Sequence, residues 1–582
     1  MAGLIRATAL VSAARRLFRS SEASLILLSV GVGILAGLLA SLLGKAAWIM
    51  QSLLYGLGTD LRLSGLVSIS PARLLALPIG GLVLGALVLF TRRKKRTSID
   101  VVEANALHGG RIPLRDTTMV CGQTLISNGF GASVGLEAAY AQAGGGIASL
   151  IGQWLNLRRG DLRVLVGAGS GAAIGAAFGA PLTGAFYAFE IVIGAYTPAS
   201  IAPVVAATIS AVITARTLGA TPYLIAAQSS QHLSAANYIL YAGLGLIAAL
   251  LGIAIMRLVS LAEAGVRRTA IPEWLRPALG GAILIPLALT TPHVLSAGHG
   301  ALHLTIAGNI ALGALILIFA LKSLASIVSL GFGFRGGLFF ASLFLGAVLG
   351  QIFARLWAFV PDGIPLSPMD ASLVGMAALA AAVVGGPMTM SFLVLEATHD
   401  FEITAVVLTA ALCSSTLVRE RFGYSFSTWR LHLRGEVVRS ARDIGWMRTL
   451  TARRMMRTAP ATASPAMPVK AFREHFPLGS TSRVLLQDEQ GHYAGLVPTA
   501  AAFADPAQTE RPVSDFAILK DVTLSPDMSI VPIMELFDSS AADDLAVVDA
   551  QGRIVGMLTE RYVRKRYADE LDRAQRELYG ED

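Results

Sequence analysis

Glu137 closes a glycine-rich run, Gly129-Phe130-Gly131-Ala132-Ser133-Val134-Gly135-Leu136-Glu137, in a part of the chain that carries few charges. Glycines just before a helix leave backbone N–H groups uncovered, and these converge into a cradle for an anion. A glutamate at the first helical turn sits beside that cradle and occupies it as a tethered anion. An ionisable side chain at membrane depth also points to function in its own right. A second approach of this kind, Gly336-Gly337-Leu338-Phe339, has no carboxylate and offers amides flanked by a phenylalanine. The chemistry predicted is reversible binding of a small anion by backbone amides, controlled by one carboxyl group.

The elements that must carry these segments are apolar. Of 582 residues, 54% are apolar and 15% charged, against about 25% charged in an ordinary soluble protein. Residues 1–450 hold 32 Lys/Arg and 18 Asp/Glu, while residues 451–582 hold 15 and 20. The net +9 is therefore a basic, membrane-like part followed by a smaller acidic part with the composition of a soluble domain. Basic residues that flank apolar spans orient membrane proteins, so nucleic acid is not required as a partner. Long apolar stretches recur at about 23–50, 70–91, 164–178, 182–217, 236–261, 277–291, 307–330, 337–359, 371–397 and 403–418. Several are too short, or too broken by Gly and Pro, to cross about 30 Å of hydrocarbon, so some must end inside the protein. The cluster Arg92, Arg93, Lys94, Lys95, Arg96 is expected on the cytoplasmic side, as are the basic N-terminus and the stretch from Arg419 to Arg448. Cys121 and Cys413 are far apart and form neither a disulfide framework nor a CxxC metal site.

The membrane part repeats itself. Gly179-Ala180-Pro181-Leu182-Thr183, followed by Phe189-Glu190, recurs 206 residues later as Gly385-Gly386-Pro387-Met388-Thr389, followed by Leu395-Glu396. Gly135-Leu136-Glu137-Ala138-Ala139 has its counterpart 202 residues on in Gly337-Leu338-Phe339-Phe340-Ala341. Two halves are read, about 20–218 and 236–430. Duplicated halves with interrupted helices point to a transport site at the repeat interface, where half-helix N-termini aim partial positive charge at an anion. Glu190 and Glu396 are expected to bond backbone amides near helix ends rather than to carry protons.

With these residues in place, the chain resembles the CLC family of chloride channels and chloride/proton exchangers over about residues 20–430. Gly135 and Glu137 match the Gly and Glu of the family's G-R-E-G-P motif, and Glu137 thus resembles its gating glutamate. Gly337-Leu338-Phe339-Phe340-Ala341 is similar to G-x-F-x-P, with Ala341 in place of Pro. The resemblance implies that Gly135, Leu338 and Phe339 contribute anion-binding amides, and that Tyr424 in Gly423-Tyr424-Ser425 supplies a hydroxyl. The G-S-G-I-P motif is poorly kept: Arg96-Thr97-Ser98-Ile99-Asp100 lacks both glycines and the proline, and the hydroxyl falls to Thr97 or Ser98. The exchangers usually have a second glutamate directly after the position of Glu190, and here that residue is Ile191. Ile191 carries no proton, which favours a passive gated channel. The alternative is a chloride/proton exchanger with a water-mediated proton path, and the remote alternative a sensor with a membrane anchor.

The tail repeats at an offset of 61. Leu486-Gln487-Asp488-Glu489-Gln490-Gly491, then Gly495-Leu496-Val497-Pro498, recurs as Val547-Val548-Asp549-Ala550-Gln551-Gly552, then Gly556-Met557-Leu558-Thr559. Each copy reads as strand, D-x-x-G turn, strand, then helix, and resembles a CBS domain. Such pairs often bind adenine nucleotides through a Thr/Ser and an Asp three residues later. Tyr562 follows Thr559 at that spacing and Ala501 follows Pro498, so no cofactor is required and an adenine nucleotide is a doubtful ligand.

The expected architecture is an all-α polytopic membrane domain of two inverted homologous halves, residues 21–440, after a short cytoplasmic segment 1–20. An α/β cytoplasmic CBS pair, residues 441–582 with units at about 450–505 and 511–570, completes it. The resemblance implies a homodimer in the cell (inner) membrane, both termini cytoplasmic, carrying chloride or another small anion. There is no HExxH, no Gly-x-Ser-x-Gly elbow and no pair of intramembrane aspartates, so neither an enzyme nor a metal site is expected.

Overall fold

The structure, a computed structural model, describes residues 22–58, 61–91, 98–219, 234–307, 310–432, 450–505, 507 and 509–579. Arg96 and Thr97 lie outside the described residues. The chain forms two compact units, residues 1–443 and 444–582.

The first unit is helical. Among the described residues, eight helices are long and apolar enough to cross a membrane, from Ala23–Tyr55 to Phe401–His432. Leu53 and Phe90 on the outer helices are 81% and 84% exposed, an arrangement that water penalises and lipid does not. Shorter apolar helices, including Pro181–Ile193 and Pro368–Val384, pack among them. Two stretches that read as continuous in composition are divided. Residues 182–217 become the helix Pro181–Tyr187, a π-helical turn Ala188–Ile193 and the helix Pro198–Thr217. Residues 371–397 become Pro368–Val384 and Pro387–Thr398. The breaks have one cause: Gly194 and Gly385 take positive φ as C-caps (75° and 90°), and Pro198 and Pro387 then open the next helix. The helix Leu114–Gly129 lies outside the apolar stretches because Arg115, Asp116, Thr117, Thr118, Gln123, Thr124, Ser127 and Asn128 interrupt its apolar residues.

The halves are built alike and meet face to face. In the first, the helices Glu137–Trp154 and Arg159–Phe178 cross where a Cβ on Gly144 would lie 2.1 Å from the Gly169 carbonyl oxygen. In the second, Phe339–Trp357 and Pro368–Val384 cross where a Cβ on Gly346 would lie 2.3 Å from the Gly375 carbonyl oxygen. Repeat partners also touch each other. Gly135 and Gly337 form an antiparallel bridge, and the rings of Phe186 and Phe392 stack at 4.2 Å and 8°. Contacts between corresponding residues require a local two-fold relation between the halves, as in an inverted repeat.

The second unit holds two three-stranded sheets, one of β1 (Thr462–Ala463), β2 (Arg483–Gln487) and β3 (Tyr493–Pro498), the other of β4 (Thr523–Leu524), β5 (Asp544–Val548) and β6 (Ile554–Thr559), each in that order. Each has a parallel first pair and an antiparallel second pair, with a bulge at Leu486/Gln487 and again at Val547/Val548. The D-x-x-G turns close alike. Asp488 Oδ1 accepts from the N–H groups of Gln490 and His492 at 3.0 and 2.7 Å, and Asp549 Oδ1 from those of Gln551 and Arg553 at 3.0 and 2.9 Å. Gly491 and Gly552 supply the positive φ at each turn, 88° and 82°. The sheets share a small core of Leu485, Leu496 and Ala546, and Arg483 of β2 pairs with Asp543 and Asp544 at the start of β5. Each half is an α/β module of the kind that the CBS resemblance implies.

Candidate functional site

The helices Glu137–Trp154 and Phe339–Trp357 begin at the Gly135–Gly337 bridge. Two helix N-termini, each with partial positive charge and uncovered amides, therefore converge from the two halves. The loops before them are held by matching bonds. Ser133 N–H donates to Ser329 Oγ at 3.0 Å, and Arg335 N–H donates to Ser127 Oγ at 2.9 Å. Ser127 and Ser329 are themselves repeat partners, 202 residues apart. Each loop is thus pinned by a hydroxyl from the opposite half.

Glu137 stands at this crossing and is almost wholly buried. Its carboxyl faces the backbone N–H groups of Glu137 itself and of Phe340. Oε2 has no hydrogen-bond partner among the described residues. A Cβ on Gly135 would lie 1.8 Å from Oε2, so this glycine leaves room for the carboxyl. A Cβ on Gly337 would fall in a gap, 3.7 Å from Glu137 Oε2, 3.8 Å from Phe339 N and 3.9 Å from Ala138 N. That gap is bounded by one carboxylate and amides from both helices. The Gly135 N–H is itself committed, donating to Gly337 O at 3.0 Å, so Gly135 serves the crossing by making space. Leu338 is the buried N-cap and Phe339 the first residue of the second helix.

Beside the crossing lies a cavity of about 100 Å³, walled by Asp100, Gln142, Tyr187, Arg335, Gly337 and Phe426 among others. Ser98 is half-buried just before the helix Val101–Leu107. Asp100 caps that helix by accepting from Glu103 N–H at 2.8 Å. A second cavity, about 180 Å³, is walled by Glu190, Ile191, Gly385, Tyr424, Ser425 and Thr428 among others. Tyr424 thus walls this second cavity and not the first, although the two share Val102 and Ser427, and its hydroxyl shares a 3.1 Å hydrogen bond with His432 Nδ1. Ile191 lies in the π-helical turn.

Sequence reasoning passed over several residues here. Lys322 is fully buried, donates to Val294 O and Ser296 O at 3.1 and 2.6 Å, and lies within electrostatic reach of Glu137. A signal existed, since it is the one charged residue in the apolar helix Leu312–Gly331. Ser127 and Ser329 were findable through the 202-residue offset. Nothing in the spacing marks Tyr187 or Arg335 as cavity residues.

The profile of the voltage gated chloride channel family matches residues 80–419, and that of the CBS domain matches residues 513–569. The chain is 30% identical over 348 residues to a ClcB-like chloride channel protein of Ralstonia nicotianae, covering 59% of this chain and 81% of that protein. It is 28% identical to the voltage-gated ClC-type chloride channel ClcB of Citrobacter koseri, covering 68% of this chain and 95% of the other. The fold is similar to that of a slow cyanobacterial Cl−/H+ antiporter, with a TM-score of 0.61 at 23% identity over 70% of this chain and 97% of that one. It is also similar to a CLC-type fluoride/proton antiporter, with a TM-score of 0.58 at 22% identity over 68% and 96% of the two chains.

Proposed function

Because its voltage gated chloride channel profile spans more than half of the sequence, this chain belongs to the CLC family, and we propose that it moves small anions, chloride foremost, through the Gly135–Gly337 crossing. The observation that carries this reading is the gap at Gly337, bounded by Glu137 Oε2 and the amides of Phe339 and Ala138. Amides at the two helix starts replace part of the anion's hydration shell without a full countercharge, so binding is favourable and release stays easy. The ionised Glu137 carboxyl competes for the same donors and closes the path. Protonation, or a rise in anion concentration, displaces it. The family resemblance assigns a further hydroxyl ligand to Ser98 or Thr97.

Two observations support proton-coupled exchange over the passive channel that Ile191 suggests. Two solved structures of this fold are proton antiporters. The cavity of about 180 Å³ beside Ile191 has room for several water molecules, which conduct protons where the side chain does not. We place the protein as a homodimer in the cell membrane with both termini cytoplasmic. The test is reconstitution in liposomes with a chloride gradient and an internal pH dye. Uphill proton movement driven by chloride is expected. Chloride efflux that requires a potassium ionophore and moves no protons would mean a channel, and no anion flux under any condition would overturn the assignment.

A further inference from the structure

Tyr187 ends the helix Pro181–Tyr187, and its repeat partner 206 residues on is Leu393. The hydroxyl therefore belongs to one half only. Tyr187 is 7% exposed and walls the cavity that runs to Gly336 and Gly337. Its ring rests 6.1 Å from that of Phe339, the residue that opens the second half's helix. The hydroxyl lies within electrostatic reach of the Asp100 and Glu137 carboxyls, yet makes no hydrogen bond among the described residues. The hydroxyl is not sealed among packed groups but opens on the cavity, where a bound anion or water accepts from it.

Tyr424 is placed differently. Its hydroxyl is engaged by His432, and its ring lies 4.5 Å from that of His432 and 5.5 Å from that of Trp429. It walls the cavity beside Ile191. From the same segment, the cavity at Gly337 receives Phe426 and Ser427, so this segment brings it an aliphatic hydroxyl but no phenol.

We propose that the Tyr187 hydroxyl, rather than that of Tyr424, donates to the transported anion in the Gly337 cavity, so that the anion is held between a phenol of the first half and amides of the second. This rests on the anion-transport reading and adds a ligand to it. Arg335 and Arg430 outnumber Asp100 among the residues that line this cavity, a balance of charge that suits an anion.

The test is chloride binding to the purified full chain by titration calorimetry, for the wild type, Tyr187→Phe and Tyr424→Phe, with folding checked by size-exclusion chromatography. One hydrogen bond to a charged ligand corresponds to about tenfold in affinity. Tyr187→Phe is expected to weaken chloride binding by about that factor, and Tyr424→Phe to leave it within about twofold. If Tyr187→Phe does not fold, Tyr187→Met is the second hydroxyl-free variant. Unchanged affinity in a folded Tyr187 variant, or a larger loss in Tyr424→Phe, overturns the proposal while anion binding itself stands. A folded wild type that binds no halide overturns the transport reading, and this inference with it.

Discussion

Glu190 and Glu396 cap each other's helices. The Glu190 carboxylate accepts from the N–H groups of Met388 and Thr389 and from the Thr389 hydroxyl, at 3.0, 2.8 and 2.7 Å. The Glu396 carboxylate accepts from the N–H groups of Leu182 and Thr183 and from the Thr183 hydroxyl, at 2.7, 2.8 and 2.6 Å. Each anion sits on the positive N-terminus of a helix in the other half. The two halves are thereby fastened at a second place, independent of the Gly135–Gly337 bridge.

Removing either carboxylate strips three donors of their acceptor. Glu396→Ala is expected to destabilise the membrane unit by about 3 kcal/mol, and Glu190→Ala by a similar amount. Glu396→Gln keeps a neutral acceptor and loses about half as much. Thermal unfolding in detergent checks this, and equal midpoints for Glu396→Ala and the wild type would refute the cap.

Adding a methyl group on either side of the crossing has opposite effects. In Gly135→Ala the new Cβ meets Glu137 Oε2 at 1.8 Å, so the carboxyl must leave its place. Flux is expected to rise and its pH dependence to flatten. In Gly337→Ala the Cβ fits, 3.7 Å from Oε2, but fills the gap left for the anion. Chloride affinity is expected to fall by about tenfold, equivalent to about 1.4 kcal/mol. Flux assays at two pH values and chloride titrations separate the two outcomes.

Glu137→Gln removes the charge and keeps the shape. Anion flux is expected to persist and to become independent of pH, while proton movement driven by chloride disappears. Flux that keeps the full pH dependence of the wild type in this variant would rule out Glu137 as the gate.

In the C-terminal unit, backbone N–H groups of the two turns hold the Asp488 and Asp549 carboxyls below the usual aspartate range, which centres at about 3.9. A depressed folded-state value adds stability that is complete above the unfolded value and is lost as pH falls through the folded one. Asp544 is shifted upward by desolvation and works in the opposite sense just above pH 4, equally in variant and wild type. Asp488→Ala with Asp549→Ala should therefore lower the stability of this unit at pH 7. The gap to the wild type should close as pH falls below about 4. Hydrogen exchange of the full-length chain over that range reads this directly, and a gap that widens on acidification would contradict it.

Glu190 shows what was legible in the residues and what was not. Its repeat relation to Glu396 and its role as an amide acceptor follow from the recurring Gly, Pro, Thr and Glu, because helix stops at glycine and starts at proline are local events. The same holds for Gly131 and Gly333, which take matching positive φ, 91° and 99°. Missing from that reading was which amides Glu190 would reach, since its partners lie 198 and 199 residues away. The helix Leu114–Gly129 went unmarked because its Thr, Gln, Ser and Asn face protein rather than lipid, which hydropathy cannot separate from a loop.

The amino-acid sequence by itself determined the family, the helical membrane unit with its α/β tail, and the two glycine-rich approaches that meet at Glu137. These rest on composition, on repeat spacing and on backbone conformations that single residues impose. Only the tertiary structure decided which side chains face the crossing. One residue along a helix rotates a side chain by about 100°, enough to carry a hydroxyl from cavity to packed interior. Tyr187 and Tyr424 are chemically alike, and it is the packing around Phe339 and His432 that gives them different walls.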